Sequence, residues 1–63
     1  MIDQAKMEVC AINQALDRAH REHKLCTVYK RNDHPEEGVD TWYVRTPEEG
    51  EPEGALIVFF AKG

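Results

Sequence analysis

The chain contains no serine. A serine nucleophile is therefore excluded, and with it the commonest form of hydrolytic triad. Only two cysteines are present, Cys10 and Cys26. They allow at most one internal bridge, too few for a disulfide scaffold. No Cys-x-x-Cys pair occurs, which removes the strong zinc-finger signatures. No glycine-rich loop suited to cradling phosphate is found. No apolar run approaches the roughly 20 residues of a membrane span. The opening residues Met1 to Lys6 lack the basic stretch and apolar core of a signal peptide. The expectation is a cytoplasmic chain with reduced thiols.

Positive charge is also scarce. Eight Lys and Arg stand against twelve Asp and Glu, for a net charge of −4. That balance favours solubility and opposes non-specific nucleic-acid binding. The acidic residues form two groups: Asp33, Glu36, Glu37 and Asp40, then Glu48, Glu49, Glu51 and Glu53. A length of 63 residues allows one domain, residues 1–63. A domain this small buries only about 60% of the surface its unfolded chain exposes, so it needs help from a bridge, a metal or a partner.

The spacing predicts a helix from about Asp3 to Lys24. Ile2, Ala5, Val9, Ile12, Leu16, Ala19 and His23 recur at intervals of three and four. Asp3 is suited to the N-cap, with Ile2 and Met7 as a hydrophobic staple. Asp17 with Arg21 and Arg18 with Glu22 are i,i+4 ion pairs. Ala5, Ala11, Ala15 and Ala19 are small enough to let the helix lie close to a sheet. The stripe also reads as three weak heptads, but the strand-like segments that follow favour a helix on a sheet over a coiled coil.

Three strands are expected: Leu25 to Arg31, Thr41 to Thr46, and Ala55 to Ala61. The intervening segments are rich in Pro, Gly, Asn and Asp. The fold class is therefore α+β, one N-terminal helix packed on a three-stranded antiparallel meander (α-β-β-β). With the helix over Cys26, Val28, Trp42 and Val44, the opposite face presents Tyr29, Arg31, Tyr43 and Arg45. The last strand, Ala55-Leu56-Ile57-Val58-Phe59-Phe60-Ala61, is apolar on both alternating sets. It adds either Ile57, Phe59 and Ala61 or Leu56, Val58 and Phe60 to that open face, because a one-residue slip exchanges the sets.

An aromatic face flanked by arginines has three readings. It is a simple tyrosine ladder with its hydroxyls in water, a protein-contact surface, or a platform that stacks nucleic-acid bases. The acidic total favours protein contact. The expected contact residues are Tyr29, Arg31, Tyr43, Arg45, Phe59 and Phe60, with Glu48, Glu49, Glu51 and Glu53 steering a basic partner. A foreign protein and a second copy joined through the last strand both fit.

His20-x-x-His23-x-x-Cys26 is the most site-like constellation, with Cys10 or His34 as a fourth group. Zinc would take such ligands, giving a small zinc-stabilised domain. Polar groups ending a helix are the preferred account of the two histidines. Cys10 and Cys26 are expected to be separated by roughly 20 Å of helix rise, too far for a bridge. No cofactor and no catalytic group is expected. The sequence thus points to a non-enzymatic interaction module, a modulator or inhibitor that docks on a larger protein. Such proteins are often carried by phages and other mobile elements.

Overall fold

The computed structural model describes residues 3–63. Helix α1 (Gln4–Glu22) is followed by strands β1 (Cys26–His34), β2 (Val39–Arg45) and β3 (Leu56–Ala61). The arrangement is the expected α+β one, a single helix and an open antiparallel sheet. Asp3 caps α1, its carboxylate accepting from the Lys6 N–H at 3.2 Å. The staple assigned to Ile2 lies outside the described residues. The helix stops at His23, which takes a left-handed conformation at φ 54° and donates its N–H to the Ala19 carbonyl. At the other end, the Gln4 amide donates to the Gly38 carbonyl and accepts from the Asp40 N–H. It thereby ties α1 to the turn between β1 and β2.

The strand order is β2-β1-β3. A meander would place β2 in the centre, so this detail of the expected topology is corrected. The first strand is central, and the last pairs with it rather than with the second. Residues 46–55 are long enough to carry the chain past β1, which is why sequential pairing is not enforced. The sheet is antiparallel throughout, and β3 remains an edge strand, as expected.

The helix is rotated from the expected stripe. Its buried residues are Ala11, Ala15 and Ala19, spaced by four. They meet Cys26, Val28 and Ala61, with Ile12, Trp42, Val44, Val58 and Phe59 packed around them. Of the expected stripe, Ala19 is buried and Ile12 partly so, whereas Val9, Leu16 and His23 are exposed and Ile2 lies outside the described residues. Small side chains let the helix approach the sheet. The row that offers alanine at every turn therefore wins over the row with larger residues.

Neither expected register of β3 is adopted. Phe59 pairs with Val28 and Ala61 with Cys26, on the helix side. Ile57 pairs with Tyr29 and Phe60 with Thr27, on the opposite side. A bulge between these pairs absorbs Val58, so strict alternation is broken and Val58 and Phe59 both pack against the core.

Two substitutions test this account. Ala15 is fully buried, so Ala15→Leu should overpack the seam and cost about 1–3 kcal/mol in chemical denaturation. An unchanged midpoint would mean that the seam is not close-packed. His23→Gly should remove the left-handed strain of a residue with a Cβ and stabilise by about 1 kcal/mol, a rise of roughly 5 °C in Tm. A fall in Tm would show that the imidazole contributes more than its backbone conformation costs.

Candidate interaction surface

The face opposite the helix is not bare. Tyr29 is only 9% exposed, and Thr27 is buried beside it. Arg31 donates from Nη2 to the Tyr43 hydroxyl at 2.9 Å and from Nη1 to the Glu53 carbonyl at 3.1 Å. A connection from β2 to β3 must cross β1 on one face or the other, and α1 occupies the first. The contact with Glu53 places the crossing segment on the tyrosine face. The chain therefore covers part of its own second face, and half-buried Pro52 lies in that segment.

Asp33 organises the polar groups there. Its carboxylate accepts from Arg31 Nε and from the Tyr43 hydroxyl. These bonds stabilise the ionised form. The arginine contact foremost, then the tyrosine, holds the Asp33 carboxyl down at about 2. The same bond to Asp33 pushes the Tyr43 phenol up, and that of Arg31 up as well. The guanidinium carbons of Arg31 and Arg45 lie 5.0 and 5.4 Å from the Tyr43 ring centroid. Both arginines and both tyrosines are thus engaged within the chain.

The acidic segment is similarly committed. Glu49 receives Arg18 Nη1 at 2.9 Å and the Thr46 N–H at 2.9 Å. These bonds, Arg18 first, hold its carboxyl at about 2. Arg18 also binds Glu22 at 3.0 Å, and its pKa is raised by the two carboxylates. Glu48 pairs with Lys24 at 3.0 Å. Glu51 and Glu53 have exposed side chains. The basic last turns of α1 and the acidic segment are therefore partners, although they are far apart in the sequence.

His20 and His23 are exposed, with ring centroids 6.4 Å apart. Cys26 is fully buried in the core, and Cys10 is exposed; both thiols are free. No group of three His, Cys, Asp or Glu residues placed to hold a metal ion occurs among the described residues. No helix among them is long and apolar enough to cross a membrane. An open groove between α1 and β2 is lined by Lys6, Met7, Cys10, Gln14, Thr41 and Trp42. The Trp42 indole Nε1 is buried without a hydrogen-bond partner, and the Lys30 ammonium lies 5.8 Å from its ring centroid.

Exposed apolar side chains also lie along β3. Leu56, Ile57 and Phe60 are 66%, 53% and 53% exposed. On α1, Val9 and Leu16 are 56% and 44% exposed. Arg18 reaches the Val44 carbonyl, and Met7, Cys10 and Gln14 border β2. With Ala11, Ala15 and Ala19 facing the sheet, the helical step of about 100° turns Val9, Ile12 and Leu16 toward β3. Leu56 lies on the helix side of the edge strand and Ile57 and Phe60 on the opposite side, so exposed apolar side chains border both faces of β3. Of the two phenylalanines, Phe60 is exposed on the tyrosine side of β3 and Phe59 packs beneath the helix. Val9, Leu16, Leu56 and Ile57 were not among the expected contact residues. The alanines spaced by four were the signal that α1 would turn its larger side chains aside.

Comparison with protein-family models, with curated proteins and with solved structures finds no significant match.

The two depressed carboxyls fix a pH dependence. Their ordinary values are 3.8 for Asp33 and 4.5 for Glu49, against about 2 for each in the fold. Folded values below unfolded ones contribute stability that is fully present above about pH 4.5 and lost as pH falls toward about 2. The double variant Asp33→Asn, Glu49→Gln should be less stable at neutral pH and show a shallower fall of Tm across that window by circular dichroism. An equally steep fall would assign acid sensitivity to other groups.

Proposed function

We propose that this chain is a small non-enzymatic protein-interaction module, a modulator of a partner protein, and that its contact surface is the border formed by β3 and the outer flank of α1. One observation carries this reading. Among the described residues six large apolar side chains are exposed, and five of them, Val9, Leu16, Leu56, Ile57 and Phe60, lie on β3 or on the flank of α1 turned toward it, while Leu25 stands apart. Large apolar side chains exposed on both faces of one edge strand support an interaction site there. Phe60 is the natural anchor, since aromatic side chains dominate the energetics of contact surfaces. Glu51 and Glu53, exposed in the segment that leads into β3, supply acidic groups for a polar rim. The tyrosine face is a weaker site, because Tyr29 is buried and Arg31, Tyr43 and Arg45 already satisfy one another.

The reading is tested by replacing Phe60 with the photo-crosslinker p-benzoylphenylalanine in the full chain, in cells that express it. A second chain carries the crosslinker at Glu37, in the exposed β1–β2 turn. Discrete protein adducts from position 60, absent from position 37, are expected. Equal labelling from both positions, or none from position 60, would overturn the assignment of the border as the contact surface.

A further inference from the structure

Resting on that reading, we propose that the protein meeting this border is a second copy of the same chain, set antiparallel along β3 about a two-fold axis. Among the described residues β3 pairs only with β1, which leaves its outer edge open there. Edge strands are ordinarily protected by charge or proline. From Ala55 to Ala61 this strand has neither. A net charge of −4 opposes association of two copies in general, and least where the surface carries no charge. The border is such a place: neither β3 nor the α1 residues Val9, Ile12 and Leu16 present a charge.

Charge also selects the orientation. Glu53 precedes β3 and Lys62 follows it. Antiparallel juxtaposition brings Lys62 of one copy to Glu53 of the other, twice, whereas a parallel pairing would set like charges side by side. The two-fold axis passes through the sheet, so the helices fall on the same face. Val9 and Leu16 of the two helices then meet over the β3 pair, while Ile57 and Phe60 meet their counterparts below. The bulge at Val58 interrupts a continuous backbone ladder. Side-chain packing, rather than main-chain hydrogen bonding, therefore supplies most of the affinity. An isologous contact of this kind closes on itself and yields a dimer, not a fibre. It also adds the apolar burial that a 63-residue chain lacks.

Sedimentation equilibrium on the full chain, from about 1 µM to about 1 mM, reads the result directly. A species of twice 7.2 kDa that dissociates on dilution is expected. Leu16→Lys with Phe60→Lys should weaken it roughly tenfold or more, with circular dichroism confirming the fold of the variant. A second set does not depend on that variant folding. Glu53→Lys and Lys62→Glu should each weaken the dimer, and the two together in one chain should restore it. A monomer at every concentration, or a dimer insensitive to both sets, would overturn the proposal. If the chain is monomeric while position 60 still crosslinks to a protein of another mass, self-pairing fails and the interaction reading stands. If position 60 gives no adduct and the chain is monomeric, both fail.

Discussion

The fold depends on one constraint, the close approach of α1 to the sheet through Ala11, Ala15 and Ala19. These side chains set the helix against Cys26, Val28 and Ala61, and the contact is dense because nothing in it is large. The largest fully buried side chains are Val28 and Cys26. Close approach has a geometric consequence. A helix lowered onto a sheet along a row of alanines cannot also insert the neighbouring row of larger residues. Ile12 reaches the core margin, but Val9 and Leu16 are turned outward. The apolar border is thus produced by the same feature that seats the helix.

Strand order follows from a second requirement, that the central strand be covered on both faces. β1 is the most buried element of the sheet, from Cys26 through Tyr29. The helix covers one of its faces. The crossing segment 46–55 lies on the other, held by Arg31 at Glu53 and anchored at its start by Arg18 and Lys24 on Glu49 and Glu48. The charge blocks of the sequence are therefore largely internal. Basic residues gather at the C-terminal end of α1, where the helix dipole favours them, and the acidic segment is drawn to the same end. Pairing there orients a loop that has little apolar surface of its own, and Asp33 does the same for the arginine and tyrosine beyond it.

Much of this was legible in the sequence. The helix limits, the Asp3 cap, both i,i+4 ion pairs and three strands follow from spacing and composition. What was not legible has identifiable causes. The apolar residues of α1 form one stripe by periodicity and its alanines another, and only the packing distance to the sheet decides between them. The register of β3 was undetermined because every residue from Leu56 to Ala61 is apolar, and a bulge at Val58 evades any alternating pattern. Strand order depended on where residues 46–55 travel, which rests on long-range contacts of Arg18, Lys24 and Arg31. The face assignment of Tyr29, Arg31, Tyr43 and Arg45 was correct in register. Their commitment to Asp33 and Glu53 was hidden by sequence distance.

The apolar character of β3 gains a sharper meaning from this geometry. A strand that is apolar on both alternating sets ordinarily belongs in the middle of a sheet, buried on both faces. Here it is at the edge, and the more polar β1 takes the centre. The inversion is tolerated because the bulge turns Val58 and Phe59 inward together, which satisfies the helix side with two residues instead of one. It leaves Leu56, Ile57 and Phe60 more than half exposed, so that completing their burial would gain about 1–2 kcal/mol each. Folding alone does not use that free energy, because the helix and the crossing segment are both occupied over β1. Burial of Leu56 on one face of β3, and of Ile57 and Phe60 on the other, is the free energy that the proposed contact would draw on.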